Sequence, residues 1–183
     1  MRRLVKPFLA VFAIALMASA TFAQDEDVKK LSDYKNELKT FSGAVKGLDS
    51  LDFFKKSFTF KNNKTGETKK FEEFGKFDQD MLRLTFMERI VRVLEVTENS
   101  LSGSVKTAEE GTAKDNEVPK KDDLQKMIKE VQELRKTAAV KWEAHAEKVF
   151  KDWVPKEIPE KDRDVYLKRM KDYNDKNKLI ERK

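Results

Sequence analysis

A mainly α-helical fold, an elongated bundle built on a long antiparallel helical hairpin with a small β-hairpin insertion, is what this sequence predicts. Three observations lead there. Apolar residues recur at alternating spacings of three and four along several long segments, which places them on one stripe of a helix. Helix breakers are scarce, 6 glycines and 4 prolines in 183 residues, while 39% of the chain is charged, as in helical and coiled-coil proteins. One short aromatic stretch alternates with a period of two and is followed by turn residues, the signature of a hairpin.

The chain opens with Arg2, Arg3 and Lys6, a ten-residue apolar run from Phe8 to Met17, and small residues leading to Thr21-Phe22-Ala23. This is the layout of a cleavable export signal over residues 1–23, with the cut expected after Ala23, or after Ala20 as second choice. The run is too short to span a bilayer as a permanent helix. Its removal takes away three basic and no acidic residues, lowering the formal charge from +6 to +3. Residues 24–183 then form a single exported helical domain with no transmembrane segment. The periplasm is the favoured destination and the extracellular space the alternative, in which Asn63-Lys64-Thr65 reads as a glycan acceptor.

The first helix is expected over about 27–47, where Leu31, Tyr34, Leu38, Phe41, Val45 and Leu48 follow a 3-4-3-4-3 spacing. Residues 53–77 hold seven of the ten phenylalanines outside the signal. Ser57 to Lys61 alternates like a strand, 62–66 is turn chemistry, and 67–71 returns as a second strand. An isolated hairpin is marginal in water, so this one must lay its phenylalanines on a helix or on another subunit.

A second helix, about 78–108 and capped by Asp78 or Asp80, carries Leu84, Met87, Val91, Leu94, Leu101 and Val105 on one stripe, interrupted only by Glu98. Phe86, Ile90 and Val93 widen its apolar face, as packing against several neighbours requires. A polar connector, 109–121, contains Gly111 and Pro119. The third helix, about 122–154 with Asp122 or Asp123 as cap, aligns Leu124, Met127, Val131, Leu134, Ala138, Trp142, Val149 and Trp153. Its length matches the second, which predicts an antiparallel pair. A last helix over about 160–180 has a narrow stripe of Tyr166, Met170, Tyr173 and Ile180 and reads as docked on the surface.

The chemical vocabulary is small. With no cysteine, disulfides, thiolate metal sites and a cysteine nucleophile are excluded. His145 is the single histidine, which rules out multi-histidine metal sites. A calcium loop started at Asp172 fails at Lys176, Asn177 and Lys183. Phosphate-loop, nucleophile-elbow and zinc-protease motifs are missing as well. A non-enzymatic protein without a cofactor is therefore expected.

Two functional readings follow. Residues 55–76 carry seven lysines against three glutamates among aromatics. Such a surface suits an acidic partner, and export argues against nucleic acid. Phe58, Phe60, Lys61, Lys64, Lys69, Lys70 and Phe71 are its candidate partner-binding residues, set against the plainer reading that the phenylalanines fasten the hairpin to the bundle. This makes the chain a protein-binding or structural protein, chaperone-like or an assembly component, self-associating because three narrow stripes enclose a thin core. The alternative is a small-ligand or cofactor carrier with Trp142, His145, Phe150 and Trp153 lining an apolar slot.

Overall fold

The computed structural model describes residues 31–61, 66, 68–109, 119–153 and 160–180. The expected signal, the start of the first helix, the turn at 62–65 and most of the polar connector lie outside the described residues. Five helices appear, α1 (Leu31–Gly47), α2 (Leu51–Ser57), α3 (Lys76–Glu109), α4 (Lys121–Trp153) and α5 (Glu160–Lys176). Strands β1 (Thr59–Lys61) and β2 (Thr68–Lys70) stand between α2 and α3. The fold class is as expected: a mainly helical chain whose long α3 and α4 pack against each other.

Side-chain contacts give the directions. Asp80 meets His145 near one end of the pair, and Glu98 meets Arg135 farther along, so α3 and α4 are antiparallel. Tyr34 Oη lies 3.1 Å from Ser104 Oγ, whereas the Arg83 guanidinium reaches the carbonyl of Leu48, so α1 runs antiparallel to α3 and parallel to α4. The stripes close on one another: Tyr34, Leu38 and Val45 of α1, with Leu48 just past it, are buried with Leu84, Met87, Val91, Leu94 and Leu101 of α3. Leu124, Met127, Val131, Ala138, Trp142 and Val149 of α4 complete the same cluster. Burial of this kind is worth about 1.5–3 kcal/mol per large apolar side chain and is the main force holding the rods together.

The aromatic segment corrects the expectation in part. The hairpin is present, with Thr59 opposite Lys70 and Lys61 opposite Thr68, but residues 51–57 are helical, and Phe53 and Phe54 therefore sit on α2. Ser50 explains this locally: its Oγ accepts the Phe53 amide at 3.3 Å and caps the helix. Strand β2 also ends before Phe71, which opens a 3-10 turn over Phe71–Glu73, closed by the Lys70 amide donating to Glu73 Oε2 at 2.7 Å.

Helices α3 and α4 start one to two residues earlier than expected. The Gly75 carbonyl accepts the Gln79 amide and the Lys120 carbonyl accepts the Leu124 amide, so Gly75 and Lys120 occupy the cap positions. Asp78, Asp122 and Asp123 are in the first turns instead, where their charge suits the positive end of the helix dipole. Helix α5 ends at Lys176, short of the expected 180. Lys178 takes φ of 50° and the Leu179 amide donates back to the Asn174 carbonyl, a left-handed terminator of the type glycine usually supplies.

Candidate functional site

Three places bring chemically notable side chains together: the hairpin end, the expected slot, and a polar cluster that periodicity alone does not reveal. At the hairpin end, five phenylalanines form one cluster: Phe53 and Phe54 of α2, Phe58 just past it, Phe71 of the 3-10 turn and Phe86 of α3. The Phe54 ring lies 5.2 Å from Phe58, 5.5 Å from Phe71 and 5.6 Å from Phe86, and Phe53 joins edge-on at 5.3 Å. Such offset and edge-to-face pairs add stabilisation beyond their buried area. Phe58 and Phe71, expected as partner contacts, are buried in this cluster. Their aromatic surface is spent on fastening the hairpin, and they are not presented to a partner.

The lysines are presented. All three residues of β2 are exposed, so Lys69 and Lys70 stand in solvent at the end where Lys55 and Lys56 of α2 are also exposed. Lys69 Nζ lies 4.7 Å from the centroid of the Phe74 ring. The Phe60 and Lys61 side chains and all of Lys64 lie outside the described residues.

The expected ligand slot is occupied by its own side chains. Trp142 and Phe150 belong to the continuous core, while the Trp153 side chain lies outside the described residues. His145 is tucked beside α3, with Nε2 at 3.4 Å from the Asp80 carbonyl oxygen and 4.0 Å from Asp80 Oδ1. Burial first, then the Arg83 guanidinium, holds its pKa below the usual imidazole value, with Asp80 opposing. Arg83 is itself lowered by burial, which Asp80 and Asp49 counter. It also donates to the Leu48 and Asp49 carbonyls at 3.4 and 3.5 Å, tying down the chain just past α1. Asp49 in turn pairs with Lys141 of α4. This charged layer sits directly above the phenylalanines, with Arg83 5.5 Å from the Phe54 ring.

The polar cluster joins α3, α4 and α5. Arg135 is only 6% exposed and is held by Glu95 at 3.1 Å, Glu98 at 3.0 Å and the Tyr173 hydroxyl at 2.7 Å. Gln132 Nε2 donates to the other oxygen of Glu98 at 2.7 Å. Tyr173 donates its own proton to Glu95 at 2.5 Å and receives the Arg92 guanidinium on its ring face at 3.6 Å. One residue on, buried Asn174 donates to Glu143 at 2.9 Å. Burial works against the Arg135 charge, but Tyr173, Glu95 and Glu98 outweigh it and raise its pKa. Burial and the bond to Glu95 raise the Tyr173 phenol. With the phenol proton and both terminal guanidinium nitrogens committed to neighbours, the arrangement is a clasp that seats α5.

Apolar spacing shows Glu98 only as a gap in its stripe and passes over Arg135 altogether. A signal was nonetheless there: Val131, Arg135, Ala138 and Trp142 keep a 4-3-4 spacing, so each long helix carries one charge, of opposite sign, on its buried stripe. Among the described residues no group of three or more histidines or carboxylates is arranged to hold a metal ion, and no helix is long and apolar enough to cross a membrane. Comparison of the chain with models of known families, with curated proteins and with solved structures finds no match.

Proposed function

We propose that this chain is an exported, non-enzymatic helical protein of the periplasm or cell envelope that binds a protein partner and self-associates, as a chaperone-like factor or a component of an assembly. The observation that carries this reading is the division of labour at the hairpin end: phenylalanines packed inward as a mount, Lys69 and Lys70 exposed on its outer strand. A positive face on a stiff mount speeds encounter with acidic surfaces and fixes orientation. Because the core closes within one chain, self-association in this reading uses a surface and does not complete a core.

The test is capture from native envelope by the full chain and by a variant with Lys55, Lys56, Lys69 and Lys70 each changed to Glu. Because these positions are exposed, the variant's helical circular dichroism is expected to match the parent's. The proposal expects one partner retained by the parent, released by moderate salt and lost from the variant. Equal capture by both proteins removes the hairpin from the function. Light scattering across a concentration series reads self-association, and N-terminal sequencing of the exported form is expected to begin at Gln24.

A further inference from the structure

A groove of about 640 Å³ runs between α1 and the first turns of α4. One wall is a lysine ladder: Lys35, Lys39 and Lys46 share a stripe of α1 with Ser42, at 4-3-4 spacing. Eleven residues separate its ends, so the wall extends about 16 Å, or three helical turns. The other wall is mixed, with Lys126 of α4 flanked by Asp123 and Glu130. Leu38 and Met127 form the floor.

Two features among the described residues suit this groove to an occupant. None of its four lysines forms an ion pair among the described residues. Gly43 lines the groove as well, and a Cβ built on it meets nothing within 4 Å, so a backbone can approach α1 closely there. A glycine inside a helix costs roughly 0.5–1 kcal/mol relative to alanine. That cost has no packing reason at this position, unlike Gly47, where a Cβ would stand 2.5 Å from the Phe53 ring.

We propose that this groove docks an acidic amphipathic helix of a partner protein, about three turns long, with carboxylates on the flank facing α1 and neutral or basic residues on the flank facing α4. The concave shape and length are those of helix-in-groove recognition. The uneven charge of the two walls decides against a uniformly anionic polymer, which would set its charges against Asp123 and Glu130. A flat anionic membrane would not reach the floor. This inference is independent of the hairpin surface, because it rests on different residues.

The experiment uses fluorescence anisotropy with the full chain and synthetic helices of about fourteen residues. All carry the same leucine stripe: one bears glutamates on one flank and lysines on the other, and one bears glutamates on both. Polyglutamate and phosphatidylglycerol vesicles are the other probes. The segregated peptide is expected to bind tightest, and to lose about tenfold or more in affinity with Gly43→Leu or with Lys35→Glu/Lys39→Glu/Lys46→Glu. Circular dichroism and the melting temperature of Gly43→Leu confirm that folding is retained, since leucine is the better helix former. Segregated-peptide affinity indifferent to Gly43→Leu, or no binding by that peptide, overturns the proposal. So does tighter, Lys39-dependent binding of polyglutamate or of vesicles, which would assign the groove to an anionic polymer or a lipid surface.

Discussion

Helix α3 is held in two contrasting ways along its length. Toward its start, Phe86 joins the phenylalanines of α2, β1's threshold and the 3-10 turn; nine and twelve residues later, Glu95 and Glu98 hold Arg135 and, through Tyr173, the last helix. The aromatic region is stabilised by area and shape, spread over many pairwise contacts. The clasp depends on mutual compensation, because taking away one partner leaves opposite charges buried without an answer. A reader of sequence sees the first kind of region easily and the second hardly at all.

The contrast can be broken most strongly at its apolar side. Phe54→Ala removes the ring at the centre of the cluster, 1% exposed, and is expected to cost about 3–5 kcal/mol in urea unfolding, with α5 unaffected in a native-state protease assay. At the polar side, Arg135→Met is expected to cost about 2–4 kcal/mol, since Glu95 and Glu98 are only partly exposed. Here α5 becomes the first protease-sensitive segment. Adding Glu95→Gln and Glu98→Gln to Arg135→Met should recover part of the loss, which no purely steric account of Arg135 allows.

Two glycines of α1 sharpen the comparison further. Gly47→Ala forces a methyl into the Phe53 ring and should destabilise by about 1–3 kcal/mol. Gly43→Ala meets open space and should stabilise by about 0.5–1 kcal/mol. Opposite signs in thermal melts, four residues apart, would locate where the aromatic region's demand on α1 stops. The smallest effect concerns the charged layer beside the phenylalanines. His145 has its folded pKa below the ordinary 6.5, so its contribution is fully present above about pH 6.5, where it is neutral in both states. That contribution is lost as pH falls through the folded value, because the unfolded chain takes the proton first. Replacing His145 with Gln should flatten that part of the stability profile while leaving the acid unfolding of the carboxylates in place.

How legible each part was follows from the physics. The stripes of α1, α3 and α4 were readable because a helix must repeat its buried side every three or four residues: Leu38, Leu84, Met87, Val131 and Trp142 all lie where spacing put them. Helix α2 was not, because Leu51 to Phe58 is so rich in aromatics that both periods fit, and the Ser50 cap decided it. Helix starts were misplaced by about one to two residues since aspartates serve first turns as well as caps. Of the candidate site, Lys69 and Lys70 emerged exposed, while Phe58, Phe71, Trp142 and Phe150 went to the core. Hydrophobicity alone does not say which side of a hairpin a phenylalanine faces. The Asp80–His145 and Glu95–Arg135–Tyr173 contacts join residues far apart in the chain, and no local pattern announces them.

The single charge on each long rod has one more effect. Ridges of leucine and valine look nearly alike after a slide of one heptad, so oily surfaces by themselves permit several alignments of similar energy. A slide of that size would carry Glu98 away from Arg135 and set it against hydrocarbon. The pair thus works as an index mark, choosing one vernier setting among many, and the positions of the hairpin, the lysine ladder and the final helix are all reckoned from it.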